Sequence, residues 1–344
     1  MTETERTLVQ PDAPVRGATP PDGAAGQMGM SPRGSGFSRA LLAAAETRPE
    51  VVGVTADLAR YTDMMEFARR HPDRMINVGM AEQNLVAVSA GLAMAGLVPV
   101  ATTFATFLTR RAQDFTVMQV ALPQLPVVLV GCVPGITQAF GPSHASIDDL
   151  AAMRATPGMT VIDPCDPVEQ EQATAAALDL GRPVYLRKLV GREPVLLDAD
   201  RHPFRIGKAT TLRAGGDIAI LASSIMVKEA LEAADRLQQS GVAASVTNVS
   251  TLKPFDEDTI LQLAEKSGAV VTAENHSVVG GLFSAVSETL SRAGVGAVVE
   301  AVGVRDEYPA FGSVEYLQER HGLTADAVVS AAGSALRRRD ARRR

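Results

Sequence analysis

The sequence predicts an α/β protein of two doubly wound domains, each a mostly parallel sheet between helices. Short apolar runs, continuous rather than alternating, recur with helical patterns between them, as strands buried on both faces require. This rhythm fades after residue 188 and then resumes, which divides the chain in two. A length of 344 residues, 46% of them hydrophobic, is also more than one ordinary domain needs.

The first 36 residues are rich in Pro and Gly and lack the basic start and apolar centre of a signal peptide. They read as a flexible arm on a cytoplasmic protein. A domain over 37–190 follows. It opens with the helical pattern "FSRALLAAAETR" and the β-branched run "VVGVT", which ends at Ala56-Asp57-Leu58. Its further strands are "VPVATT" (98–103), "PVVLVG" (126–131), "MTVIDP" (159–164) and "PVYLR" (183–187), with helices over 80–96, 109–121 and 167–180.

Residues 191–204 read as a linker. The second domain, 205–332, alternates "DIAILASS", a helix from Ile225 to Ser240, "VAASVTNVS", a helix near 256–267, "AVVTAEN" and a helix after Gly280-Gly281. Residues 333–344 read as a solvated basic tail.

Formal charge is −6, and the last eight residues contribute +5, leaving −11 on residues 1–336. That balance argues against a nucleic-acid groove on the body. No apolar stretch reaches the roughly 18 residues of a membrane span. Cys132 and Cys165 have no metal-type spacing with any histidine, which suits a reducing compartment.

In open α/β sheets ligands gather at the carboxyl ends of the strands. Asp57, the loop after Thr103, the 132–149 loop and Arg187 all follow strands. Glu82 opens an Ala/Gly-rich helix, where a carboxylate suits the helix dipole. It equally suits a protonated ligand nitrogen, since an unpaired buried charge is unfavourable and no Lys or Arg stands obviously beside it. Phe104, Phe107 and Arg110 share a helical face, either as core or as a clasp for a flat heterocycle. His144 lies in a Gly/Pro-shaped loop, solvated or placed for proton transfer. Ser146 and Asp149 resemble a capped helix start. Arg187 is either an anion anchor or a salt-bridge partner. His276 and its paired glycines suit a tight structural turn.

These stretches resemble the carboxyl-terminal half of transketolase, and more closely the second subunit of split bacterial transketolases. The resemblance rests on "TADLARYTD", "PDRMINVGMAEQNL", "VPVATTFATFLTRRAQDF", "GPSHASIDDLAAMRATPGMTVIDPCDPVEQEQA", "PVYLR" and "VVTAENHSVVGGL", in the family's order over roughly 37–330. It implies a pyrimidine-binding domain followed by the transketolase C-terminal domain, with thiamine diphosphate as cofactor. Glu82 then matches the glutamate that shares a proton with N1′ of the aminopyrimidine and so favours the tautomer that activates C2. Phe104 and Phe107 match positions packing on that ring, Asp57 and Leu58 a segment near the thiazolium, and Arg110 stands where the family has a third aromatic. His144 matches a histidine contacting substrate oxygens, Arg187 a phosphate-binding arginine, and Arg33 a further phosphate contact.

Phe140 stands four positions before His144, where full-length transketolases carry an acidic residue that reads sugar hydroxyls. The family's Gly-Asp-Gly segment for Mg²⁺ and diphosphate is absent from the chain. The implied enzyme moves a two-carbon ketol unit from a ketose or its phosphate to an aldehyde. It needs an amino-terminal-type partner carrying Mg²⁺, within a heterotetramer. The rival readings are a relative using 2-oxo acids (a deoxyxylulose-phosphate-synthase-like or dehydrogenase-type subunit) and an inert scaffold subunit.

Overall fold

The computed structural model describes residues 35–191 and 193–343. Arg33 and most of the expected arm lie outside the described residues. The first domain runs α1 (Gly36–Thr47), β1 (Val51–Thr55), α2 (Met65–Arg70), β2 (Met75–Asn77), α3 (Glu82–Met94), β3 (Val98–Phe104), α4 (Ala105–Arg110), α5 (Gln113–Phe115), β4 (Val128–Cys132), α6 (Asp149–Ala155), β5 (Thr160–Ile162), α7 (Pro167–Asp179) and β6 (Val184–Lys188). The second runs β7 (Thr210–Arg213), β8 (Ile218–Ala222), α8 (Met226–Gln239), β9 (Ala244–Asn248), β10 (Thr251–Lys253), α9 (Glu257–Ser267), β11 (Ala269–Ser277), α10 (Leu282–Ala293), β12 (Val298–Val304), α11 (Val314–Arg320) and α12 (Ala325–Arg343).

The continuous apolar runs are buried strands. β1, β4, β6, β8 and β9 are buried at every position, as helices on both faces of a parallel sheet demand. Helix starts follow the local chemistry. Ser35 accepts from the Ser38 N–H at the head of α1, and Asp166 accepts from the Glu169 N–H before Pro167 opens α7.

One strand departs from the two-sheet division. The first sheet has the order β10-β5-β6-β4-β3-β1-β2, so β10 leaves its own domain and pairs antiparallel with β5. Lys253 fastens this crossing by donating to the carbonyls of Arg154 and Thr156. The second sheet has the order β12-β11-β8-β9-β7. Val249, Leu252 and Ile260 of the second domain share an apolar core with Leu150, Met153 and Val161 of the first. The linker is tied down as well, since Asp166 accepts from the N–H groups of Leu196 and Leu197.

Two further expectations are corrected. The basic tail is helix through Arg343, because Val328, Ala332 and Ala335 bury one face of α12 and its arginines find acceptors. Arg338 pairs with Glu300, and Arg339 donates to the carbonyls of Asp217 and Ser267. Ser146 does not cap α6. Asp148 holds the cap position without a side-chain bond, and Asp149 turns into the protein interior.

Candidate active site

The site sits at the carboxyl ends of β1 and β3, and the 132–149 loop folds over it. β1 ends at Thr55, and the chain turns through Asp57 at φ 59°, in the left-handed region. Asn77, at the end of the neighbouring β2, holds that turn. Its Oδ1 accepts from the N–H groups of Asp57 and Gly79, and its Nδ2 donates to Asp57 Oδ1 at 2.9 Å. Leu58 is fixed by its N–H to Thr55 Oγ1. Tyr61, further round the turn, sets the edge of its ring against Phe104 at 6.1 Å.

β3 ends at Phe104, the residue from which α4 starts. The helix brings Phe107 to within 6.0 Å of Phe104, centroid to centroid. The loop adds Phe140, nearly parallel to Phe104 at 6.0 Å, and His144, edge-on to Phe107 at 5.0 Å. Four of the residues expected at the site, Phe104, Phe107, Phe140 and His144, therefore form one aromatic shelf. His144 Nδ1 lies 2.9 Å from the Ser143 hydroxyl. Burial, reinforced by the charge of Arg111, holds the imidazole below its ordinary pKa, so it is neutral at pH 7.

Glu82 is the first residue of α3, and it is only 3% exposed. The expectation that it lacks a cation within the chain is corrected here. Arg111 Nη1 reaches both carboxylate oxygens, at 3.2 and 3.3 Å, and the same guanidinium lies over the Phe107 ring at 4.1 Å. Arg111 thus joins Glu82 to the shelf. Spacing permits this contact without selecting it, because residues i and i+4 share a helical face just as i and i+3 do, which suits Arg110 equally. Phe107 and Arg111 are four apart. Tyr61 and Asn77 carry no signal in the sequence, as their roles depend on which strands lie side by side.

Two expected site residues are elsewhere. Arg110 makes a two-pronged pair with Asp148, at 2.9 and 3.0 Å, and takes no part in the shelf. Arg187 is fully buried and its guanidinium is consumed within the protein, so it offers nothing to a phosphate. It donates to both oxygens of Asp149 at 2.7 and 2.5 Å, to Asp163 at 3.3 Å, and to the carbonyls of Asn275 and Ser146. Burial would raise the Asp149 carboxyl pKa, yet the charge of Arg187 prevails and holds it low. A strand-end arginine faces a ligand only when the strand end is open. Here α6 and the second domain close it.

Among the described residues, no group of three or more His, Cys, Asp or Glu side chains is arranged to hold a metal ion. No helix among them is long and apolar enough to cross a membrane.

Residues 34–189 match the family described as transketolase, pyrimidine binding domain, and residues 207–328 match transketolase, C-terminal domain. The chain is 44% identical to the transketolase family protein y4mN of Sinorhizobium fredii, over 86% of each chain. It is 43% identical to the 6-deoxy-6-sulfo-D-fructose transketolase subunit SqwH of Clostridium sp., over 88% of this chain and 94% of that one. The 1-deoxy-D-xylulose-5-phosphate synthase of Heliobacterium modesticaldum is 39% identical over 86% of this chain, which spans only 46% of its length. A solved structure described as a split gene transketolase, inactive beta4 tetramer, superposes with a TM-score of 0.81 at 39% identity. It covers 88% of this chain and 97% of that one.

Proposed function

The chain belongs to the transketolase family, and from that premise we propose that it is the second subunit of a two-component, thiamine-diphosphate-dependent transferase. The reaction is transfer of a two-carbon ketol unit from a ketose or its phosphate to an aldehyde. It requires an amino-terminal-type partner, and two copies of each chain form the working assembly.

The observation that carries this reading is the Glu82–Arg111–Phe107 contact. A buried carboxylate at the open end of the sheet already binds a flat N–H donor that lies on an aromatic face. An aminopyrimidine ring makes the same two demands, so the residues fit it. Bound thiamine diphosphate supplies the nucleophilic carbon and the electron sink of the transfer. Glu82 would hold a proton at the ring N1′. Phe104 and Phe107 would support the ring and keep water from the carboxylate, which strengthens the proton-sharing bond. His144, neutral at pH 7, can donate to or accept from substrate oxygens. Asp57 and Leu58 border the place of the second ring. Phe140 gives the substrate an apolar wall in place of a carboxylate.

Mg²⁺ and the diphosphate fall to the partner, since the chain has no Gly-Asp-Gly segment. The split organisation of the solved relative and the subunit status of SqwH support the partner requirement. Two buried, unpaired cysteines go with a reducing, cytoplasmic setting. Likeness to the deoxyxylulose-phosphate synthases keeps a second reading, with a 2-oxo acid as donor.

The test is reconstitution with the partner and product analysis, offering ketose phosphates or pyruvate as donor. Ketol transfer that needs both chains, with hydrogen–deuterium exchange at cofactor C2 greatly slowed in Glu82→Gln, is the expected result. Turnover by the purified chain alone refutes the split-subunit reading. Unchanged exchange in Glu82→Gln reduces that residue to a helix-start charge.

A further inference from the structure

We propose that Arg111 is a placeholder for the aminopyrimidine, a flat cation that occupies the ring's position until the ring displaces it. The inference rests on the reading of Glu82 given above. Three observations carry it. The guanidinium meets both oxygens of Glu82, and it covers the face of Phe107 at 4.1 Å, so the polar and the stacking halves of the ring's position are filled at once. The two partners differ in exposure: the Glu82 side chain is 4% exposed and that of Arg111 50%. Arg111 also follows the last residue of α4, where its side chain can swing into solvent without disturbing the core.

The physical logic follows from that asymmetry. Glu82 cannot be left buried without a donor, so its cation stays until another N–H group arrives. Arg111, half in water, loses little on leaving, because an exposed guanidinium is well hydrated and exposed ion pairs are weak. Seating of the ring and pairing of Arg111 with Glu82 therefore exclude each other. The affinity of the chain for the ring is reduced by the fraction of molecules in which Arg111 has moved aside. The contact keeps the free subunit closed and protects its buried carboxylate meanwhile.

The experiment uses the purified full chain and thiamine diphosphate as probe, followed by titration calorimetry, for the wild type and Arg111→Met, Arg111→Lys and Glu82→Gln. If the closed pair holds about nine molecules in ten, Arg111→Met binds roughly tenfold more tightly than the wild type. Arg111→Lys, still cationic but without the flat fork, falls between them. Equal or weaker binding by a folded Arg111→Met overturns the placeholder. Glu82→Gln separates the two claims. Lost binding there with no gain in Arg111→Met overturns the placeholder alone, whereas no loss there overturns the reading on which it rests. A second readout needs no cofactor: the imidazole of His144, followed by NMR, should titrate at higher pH in Arg111→Met. An unmoved titration places Arg111 away from the shelf and overturns the proposal.

Discussion

Arg187 and Asn275 bond across the domain boundary, the guanidinium of one donating to the backbone carbonyl of the other at 3.2 Å. The Asn275 side chain returns the contact, accepting from the Ile136 N–H and donating to the Pro134 carbonyl. Asp163 of the first domain accepts from Ser223 of the second, while Asp149 and Asp163 hold Arg187 from below. Removing one partner of such a buried set leaves the others charged and unpaired. Arg187→Ala should therefore lose about 3–5 kcal/mol of stability, read from urea unfolding. A loss confined to phosphorylated substrates, with stability intact, would return Arg187 to an anion-binding role.

The positions of the strands and most helices were legible because burial on two faces leaves continuous apolar runs, as in "PVVLVG" and "DIAILASS". The crossing of β10 was not, since three residues after Ser250 carry no period, and their partner β5 lies about ninety residues away. The site followed the same division. Phe104, Phe107 and His144 could be found because each lies at or beyond the end of a strand, and strand ends face the ligand side. Which arginine faced that side could not be read from spacing alone. Arg110, Arg111 and Arg187 all lie near strand or helix ends, and only tertiary packing decides that the first meets Asp148, the second Glu82 and the third Asp149. The final arginines looked solvated for the same reason: their acceptors, Glu300 and the Asp217 and Ser267 carbonyls, come from distant segments.

Asn77 should set the order of the turn beside the shelf. Its amide makes three bonds, two to Asp57 and one to Gly79, and the two to Asp57 hold that residue in a backbone conformation few L residues adopt. Asn77→Ala should speed amide exchange over 57–62, and only about 1 kcal/mol of global stability should be lost, because the site is exposed. Exchange rates unchanged at Leu58 and Tyr61 would show that Thr55 and the Tyr61 ring suffice.

His144 should titrate below pH 6.5 in the folded chain, burial and the charge of Arg111 both opposing the imidazolium. Between its folded value and 6.5 the unfolded chain binds more protons, so the contribution to stability is present above 6.5 and is lost as the pH falls through the folded value. NMR titration of the ring carbon proton reads it directly. A midpoint above 6.5 would mean that an acidic group, not Arg111, dominates the ring's surroundings.

Glu274 and His276 give the second domain an opposed pair of pH dependences. Glu274 is fully buried and accepts from the N–H groups of Leu282 and Phe283 at the head of α10, yet burial outweighs those bonds and raises its carboxyl to about 8. Burial, followed by the charge of Arg187, lowers His276 to about 4. From an ordinary 4.5 up to about 8 the folded chain keeps the Glu274 proton that the unfolded chain releases, so stability falls as pH rises through that range. From about 4 up to an ordinary 6.5 the unfolded chain binds the His276 proton that the folded chain refuses, so stability rises with pH there. The two offset each other below 6.5, and above it Glu274 acts alone. Urea midpoints should therefore decline from pH 6.5 to 8 in the wild type. In Glu274→Gln, which replaces the neutral acid by a neutral amide of the same shape, that decline should vanish. A variant that keeps the wild-type slope would show that the carboxyl is ionised in the fold and that the two backbone donors of α10 outweigh its burial.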